Sequence, residues 1–445
     1  MILILFSFLI IFLFIFYFLR RGFSILEALG LSAIILLGVS GIVPFIGNEF
    51  FNISYIYSSI EIFTVVFAIS SISMLFLRHN NRKKINYKIS KIDFLMLVLV
   101  SFILIRGFLL PMRGWDAFSL YDSRALMFLS GTKLSDMIAF SKYDEFNQLY
   151  YFSYPPMTSV LHTVLYSGGP TNTMIIYAIF YSVFIIFAYL FIRGMKINGI
   201  LKFFLFVISV LNPLIFMHTK LAYTNLPTLT FQFVSLYYLI KYGKSYKGLY
   251  LLISALFLGF SNWTRSLEPL FISFFIAFAF LILKRKNSLI DKVIEGAKYL
   301  FVSMATWLIW SLYIRFTIGG LGDTSPSLLE MISKISSSLL LSNLLDVVFF
   351  VYSALSRIGL YILMTLFIFL FVWLRTKKSI KTEEKIVMII IFTTEALMIG
   401  GTLYFSKTFS WWNQIPDSFL RSNLIMIPLT GILSGYFLED LKTRK

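Results

Sequence analysis

The chain is a succession of apolar runs separated by short polar connections. A helix of about 20 apolar residues covers a hydrocarbon core of about 30 Å. Runs of that order fall at 1–19, 25–47, 56–77, 93–111, 171–192, 203–217, 225–240, 248–262, 267–283, 299–314, 358–374, 386–404 and 423–438. They predict an all-α polytopic membrane protein with about 13 crossings, a single transmembrane domain over residues 1–445. Short neighbours such as 248–262 and 267–283 also admit a re-entrant path. The first run is closed by Arg20 and Arg21 and lacks a preceding charge or a small-residue cleavage site, so it is expected to be a retained anchor.

Composition supports the membrane reading. At 445 residues, three soluble domains of roughly 150 residues would be the length prior. With 58% hydrophobic and 13% charged residues, too little polar surface exists to cover them in water. Disorder, collagen and long coiled coils are excluded by the same figures. The absence of cysteine removes disulfides, thiolate metal sites and a cysteine nucleophile. The three histidines, His79, His162 and His218, are scattered along the chain without ligand spacing.

The net charge of +18 would suggest nucleic acid in a soluble protein. Here most of the basic residues fall in alternate connections: Arg20 and Arg21, Arg78 to Lys91, Arg193 to Lys202, Lys241 to Lys247, Lys284 to Lys298, Arg375 to Lys385, and the tail. Basic residues collect on the cytoplasmic side, so this alternation puts the N-terminus outside and the C-terminus inside. The excess then faces anionic lipid headgroups, and no nucleic-acid partner is expected. Chemistry is expected on the outer side.

Three outer connections are long enough for a site: 112–170, 315–357 and 405–422. The first carries Asp116, Asp122, Asp136, Asp144 and Glu145 and ends in Tyr154-Pro155-Pro156, whose prolines can open the next helix. Its stretch Ser119 to Gly131 has the mixed pattern of a helix lying at the interface. Ionisable groups near spans line cavities, pair or bind ligand. Those on the outer side are Arg113, Asp116, Asp122, Arg124, Lys220, Arg265, Glu268, Arg357 and Arg421, with Glu61, Arg106 and Glu395 within apolar runs.

Asp116, in Arg113-Gly114-Trp115-Asp116, follows directly on a span. It is either a cap for the next helix or a general base within reach of an acceptor hydroxyl. Asp122, six residues on, is expected to pair with a nearby cation. Arg265 and Glu268 stand three apart and either satisfy each other or leave the guanidinium to bind phosphate. Arg421, near Trp411-Trp412, presents the same choice. Moving a sugar off a lipid phosphate needs a base for the hydroxyl and fixed positive charge for the departing phosphate. Outer acids and arginines supply both, as would a transporter site.

These residues resemble landmarks of the GT-C superfamily, the polytopic glycosyltransferases that use lipid-linked sugars, and in particular its dolichyl-phosphate-mannose protein mannosyltransferase and aminoarabinose transferase branch. Trp115-Asp116-Ala117 resembles the first-loop catalytic Asp segment, and Ser153-Tyr154-Pro155-Pro156-Met157 the Tyr-Pro-Pro-Leu stretch closing that loop. Leu221-Ala222-Tyr223-Thr224-Asn225-Leu226-Pro227 is similar to a Tyr-x-Asp-Leu-Pro segment, with Asn225 in place of the acid. Trp263-Thr264-Arg265 through Glu268-Pro269 resembles a Thr-Arg-x-Glu-Gly junction, and Arg421 through Pro428 the late Arg before a Pro-containing span.

The resemblance covers about residues 93–438. It implies a GT-C-like fold, Asp116 as base, Arg265 and Arg421 on donor phosphate with Arg113 and Arg124 nearby, and support from Asp122, Tyr154, Asn225, Glu268 and Lys220. It implies no obligatory metal and no cofactor. The expected partners are a polyprenyl- or dolichyl-phosphate-linked sugar, a glycan, lipid or protein acceptor, and membrane lipid. The competing expectation is a multi-pass transporter or lipid flippase, which usually has two related halves; no internal repeat is visible.

Overall fold

The computed structural model describes residues 14–15, 17–19, 21–55, 91–141, 154–169, 172–265, 269–318, 333–334, 336–337, 341–376, 380–408, 420–421 and 423–442. Among them the chain is helical throughout, with no strand and one isolated parallel bridge, Arg113 to Leu221. Among the described residues, five helices are long and apolar enough to cross a membrane: Ile25–Phe51, Ile92–Leu109, Met174–Arg193, Leu289–Thr317 and Thr382–Tyr404. The run at 56–77, with Glu61, lies outside the described residues, as do most of 1–19 and Tyr150, Tyr151, Ser153, Glu268, Trp411 and Trp412.

The chain divides into two compact units. The first comprises Met1–Leu190, Pro213–Val234 and Trp263–Ser266; the second comprises Phe191–Asn212, Ser235–Asn262 and Leu267–Lys445.

In the first unit, α1 (Ile25–Ser40) begins at Ser24, whose hydroxyl accepts from the Glu27 amide at 3.3 Å. Ser24-x-x-Glu27 is the capping-box spacing. Pro44 sits in the first turn of α2 (Val43–Phe51), where its missing N–H leaves no bond unmade. Asn52 ends α2 in the left-handed region, φ 56°. After α3 (Lys91–Leu109) the chain enters a π-helix, Ala117–Asp122, which runs straight into α4 (Ser123–Leu129).

This π/α pair has two faces: Ala117, Leu120, Tyr121, Arg124, Ala125 and Phe128 are buried, and Phe118, Leu126 and Met127 are exposed. It stops at Gly131, φ 88°, where the Thr132 amide returns to Met127 O at 3.0 Å and satisfies a terminal carbonyl. Next come α5 (Leu134–Ser141), α6 (Met157–Ser167) and α7 (Met174–Arg193); α8 (Gly199–Val210) belongs to the second unit, α9 (Pro213–Met217) and the start of α10 (Asn225–Ser245) to the first, and of α11 (Gly248–Thr264) only the last two residues to the first.

The prolines of Tyr154-Pro155-Pro156 precede α6, which packs on α1, α2, the π-helix and α4. Close approach at two glycines sets this packing. A Cβ on Gly41 would sit 2.7 Å from Met157 Cγ, and one on Gly107 would overlap the Ala178 side chain. Asn172 caps α3 by donating from Nδ2 to the carbonyls of Gly107, Phe108 and Leu110 at 3.0–3.1 Å. Trp263 is fully buried, meets Phe45 edge-on and donates from Nε1 to Gly41 O at 2.8 Å.

The second unit contains α12 (Pro269–Lys284), α13 (Leu289–Ile318), α14 (Leu341–Thr376), α15 (Thr382–Thr408) and α16 (Met426–Lys442). Residues 315–318 and 341–357 of the expected 315–357 connection are therefore helical. Small and hydroxylated residues make the crossings, which is how helices bind when lipid removes the hydrophobic drive between them. Thr306 donates to Gly259 O at 2.6 Å, Thr394 to Ser273 Oγ at 2.8 Å, and Ser434 to Thr365 Oγ1 at 3.1 Å. Glu295 takes Arg285 Nη1 at 2.5 Å and Tyr242 Oη at 2.6 Å.

Candidate functional site

Four sequence segments far apart in the chain come together in the first unit. Arg113-Gly114 runs beside Leu221-Ala222-Tyr223, joined by the Arg113–Leu221 bridge. Gly114 adopts φ 108°, and a Cβ there would lie 3.0 Å from Tyr223 Oη, so both conformation and space call for glycine. From the next turn, Tyr121 reaches Thr224, Oη to Oγ1 at 3.5 Å, and lies 6.5 Å from the Tyr223 ring.

Arg124 donates from Nη1 to Tyr154 O at 3.4 Å, and the Arg265 guanidinium stands 5.8 Å from the Tyr154 ring centroid. Thr264, one residue earlier, donates to Met157 Sδ at 2.9 Å and ties the end of α11 to the start of α6. Burial pushes the Tyr121 phenol up against the pull of Thr224, Arg265 and Arg124. The same aromatic and guanidinium groups thus share one electrostatic neighbourhood.

The expected site residues take different positions in this frame. Asp116 is half-buried at the head of the π-helix and makes no side-chain cap to it, so its carboxylate is not used as the N-cap that was one of its two readings. Arg113 and Lys220 are exposed, Tyr154 and Arg265 are half-buried, and Asn225 is buried at the start of α10. Arg124 is only 2% exposed. That burial lowers its pKa to about 10 and holds it under the Tyr154 backbone instead of on an open face. Arg421 is half-buried ahead of α16 in the second unit.

Asp122 has a different partner from the expected cation. His162 Nδ1 lies 3.1 Å from Asp122 Oδ1, and Tyr166 donates a short hydrogen bond to the same oxygen. A carboxylate only accepts, so Nδ1 carries the proton; Nε2 then accepts from Tyr177 Oη at 3.1 Å. Burial raises the Asp122 carboxyl, but the bonds from His162 and Tyr166 outweigh it and hold the group below the ordinary carboxylate range. Burial also pushes His162 below the ordinary imidazole range, partly offset by Asp122, and it pushes the Tyr166 phenol up. The relay is an ionised Asp122, a neutral His162 and a protonated Tyr166. Asp122 keeps 14% of its side chain exposed, and Oδ2 takes no hydrogen bond from the described residues.

Tyr166 and Tyr177 are absent from the sequence reading, His162 entered it only as a scattered histidine, and Tyr223 only as a member of the Leu221–Pro227 motif. One signal was present: His162 and Tyr166 are four apart on a helix, so two polar side chains share one face of α6.

No protein-family model matches the chain, no curated protein matches it, and no solved structure matches it. Its place is argued from this geometry.

Proposed function

We propose that the protein is a GT-C-like membrane glycosyltransferase that moves a sugar from a polyprenyl or dolichyl phosphate to a hydroxyl of a glycan, lipid or protein on the extracytoplasmic face. The observation that carries the reading is the meeting, in one unit, of Arg113–Asp116, Tyr154–Met157, Leu221–Asn225 and Trp263–Arg265. Asp116 takes the proton from the acceptor hydroxyl as its oxygen attacks the anomeric carbon. The bond between that carbon and the phosphate oxygen breaks, inverting the centre and releasing the lipid phosphate. Arg265 holds the phosphate, assisted by Arg113 and Lys220.

Asp122, oriented by His162 and Tyr166, offers Oδ2 as a second acceptor for the incoming hydroxyl. Arg124 acts from below by holding Tyr154 in place. Asn225, lacking a charge, serves the start of α10. The deciding experiment compares envelope glycans of cells carrying the wild-type chain, no chain, or Asp116→Asn. Loss of the same sugar in the latter two, with Asp116→Asn protein still inserted, supports the reading; a wild-type glycan profile in Asp116→Asn removes Asp116 from it.

A second reading, a multi-pass transporter or lipid flippase, is favoured by one observation. Both carboxyl oxygens of Glu395 on α15 are buried with no hydrogen-bond partner among the described residues. An intramembrane acid of this kind is a standard carrier of protons or cations. Retained sugar transfer in Asp116→Asn together with loss of function in Glu395→Gln would favour it.

A further inference from the structure

The first unit holds a pocket of about 310 Å³ outside the cluster just described, lined by Asn48, Asn52, Ser54, Tyr55, Phe128, Leu129, Gly131 and Lys133. It lies between the end of α2 and the turn from α4 to α5, at the other end of the π/α pair from Asp116. Thirteen residues separate Leu129 from Asp116, on the order of 20 Å along a helix.

The walls are rigidly set. Leu134 N–H donates to Glu49 Oε1 at 2.7 Å, Lys133 Nζ donates a short bond to Asn52 Oδ1, and the Tyr55 and Phe128 rings stack at 4.9 Å. Asn48 is 6% exposed and donates from Nδ2 to Ile53 O at 3.2 Å. That bond fixes the amide orientation and leaves Oδ1 without a donor among the described residues.

We propose that this pocket is a subsite for a neutral polyhydroxylated ring, one sugar unit of an acceptor glycan held several units from the reacting hydroxyl. Its role rests on the glycosyl-transfer reading, whereas its existence rests on the pocket alone. A volume near 310 Å³ is at the small end of ligand sites and suits a single ring. Asn48 supplies an acceptor and Lys133, with protons beyond the one given to Asn52, a donor, and a ligand that both donates and accepts satisfies this mixture. A phosphate headgroup only accepts, would face the Asn48 oxygen, and would find a single ammonium already engaged by Asn52. The stacked Tyr55–Phe128 pair supplies an apolar wall for the C–H face of a sugar ring.

The test is saturation-transfer NMR on the full chain in nanodiscs with methyl glycosides of glucose, galactose and mannose, and with inorganic phosphate and glycerol phosphate as competitors. We expect saturable binding of at least one glycoside, weakened at least tenfold by Asn48→Ala and by Leu129→Trp, and not displaced by either phosphate. Leu129 is 37% exposed, so the tryptophan fills the pocket without removing a buried contact and decides the question if Asn48→Ala fails to fold. No binding to the wild type, binding that survives Leu129→Trp, or displacement by phosphate overturns the subsite. Asp116→Asn, which ends transfer under the proposed reaction, leaves this binding in place, so failure of the subsite and failure of the reaction read out separately.

Discussion

His162 donates from Nδ1 to Asp122 Oδ1 over 3.1 Å, joining the end of the π-helix to α6 through a fully buried imidazole. The bond fixes the tautomer, and through it the hydrogen bond from Tyr177 on a third helix. Asp122 is thereby aimed from three elements at once.

This pair makes the protein acid-sensitive. Both groups have folded pKa values below their unfolded ones, so the unfolded chain takes up protons first as pH falls. The stabilisation from His162 is complete above the unfolded imidazole value of about 6.5 and is lost on descending through its folded value. Asp122 follows, from about 3.9 downward. We expect the thermal midpoint in detergent to fall between pH 7 and pH 5, with a slope of at most about 1.4 kcal/mol per pH unit from His162. His162→Gln should flatten that slope, and an unchanged slope would contradict the assignment.

Asp122→Asn and Asp116→Asn should separate in stability. The first removes a carboxylate that takes two hydrogen bonds and should cost about 1–3 kcal/mol. The second alters a half-buried residue that does not cap the π-helix and should cost less than the first. Parallel thermal unfolding of the two variants checks this, and equal losses would count against it.

Gly114→Ala should destabilise more than Gly131→Ala. Both positions have positive φ, 108° and 88°, and share a backbone penalty of roughly 1 kcal/mol or more. Only Gly114 also has Tyr223 Oη at 3.0 Å from the added methyl, whereas nothing lies within 4 Å at Gly131. The difference in unfolding free energy measures how closely the Asp116 segment and the α10 approach are pressed together.

Trp263→Phe should cost about 1–3 kcal/mol by leaving the buried Gly41 carbonyl without its donor. Because Arg265 follows two residues later, the same variant should reduce sugar transfer even though Trp263 touches no reacting atom. Normal transfer together with a lowered midpoint would show that Arg265 is held independently.

Hydrophobic spacing carried most of the described helices. The runs expected at 171–192, 248–262 and 386–404 correspond to helices at 174–193, 248–264 and 382–408. Local chemistry also showed the Pro155-Pro156 boundary and the Gly131 stop. Runs at 203–217 and 358–374 were less legible. Pro213 splits the first into α8 and α9, and polar residues such as Ser342, Asn343 and Asp346 conceal the early start of α14.

At the candidate site, the short motifs marked segments that meet in the first unit, because Gly, Pro and Trp signal backbone constraints that a single sequence exposes. The partner of Asp122 was hidden because His162 stands 40 residues away, and pairing at that separation is decided by how α6 packs. A basic residue two places along, Arg124, was the tempting partner, but it turns inward to the Tyr154 carbonyl.

The π-helix at Ala117–Asp122 closes its turns over five residues instead of four, and so holds one residue more than an α-turn would. A one-residue deletion inside it would restore ordinary winding and leave Trp115 and Asp116 close to their present orientation relative to α4, whereas the same deletion in a straight α-helix would turn them by about 100°. Loss of one residue at this single loop of backbone is therefore absorbed where it occurs, and the acid keeps its aim.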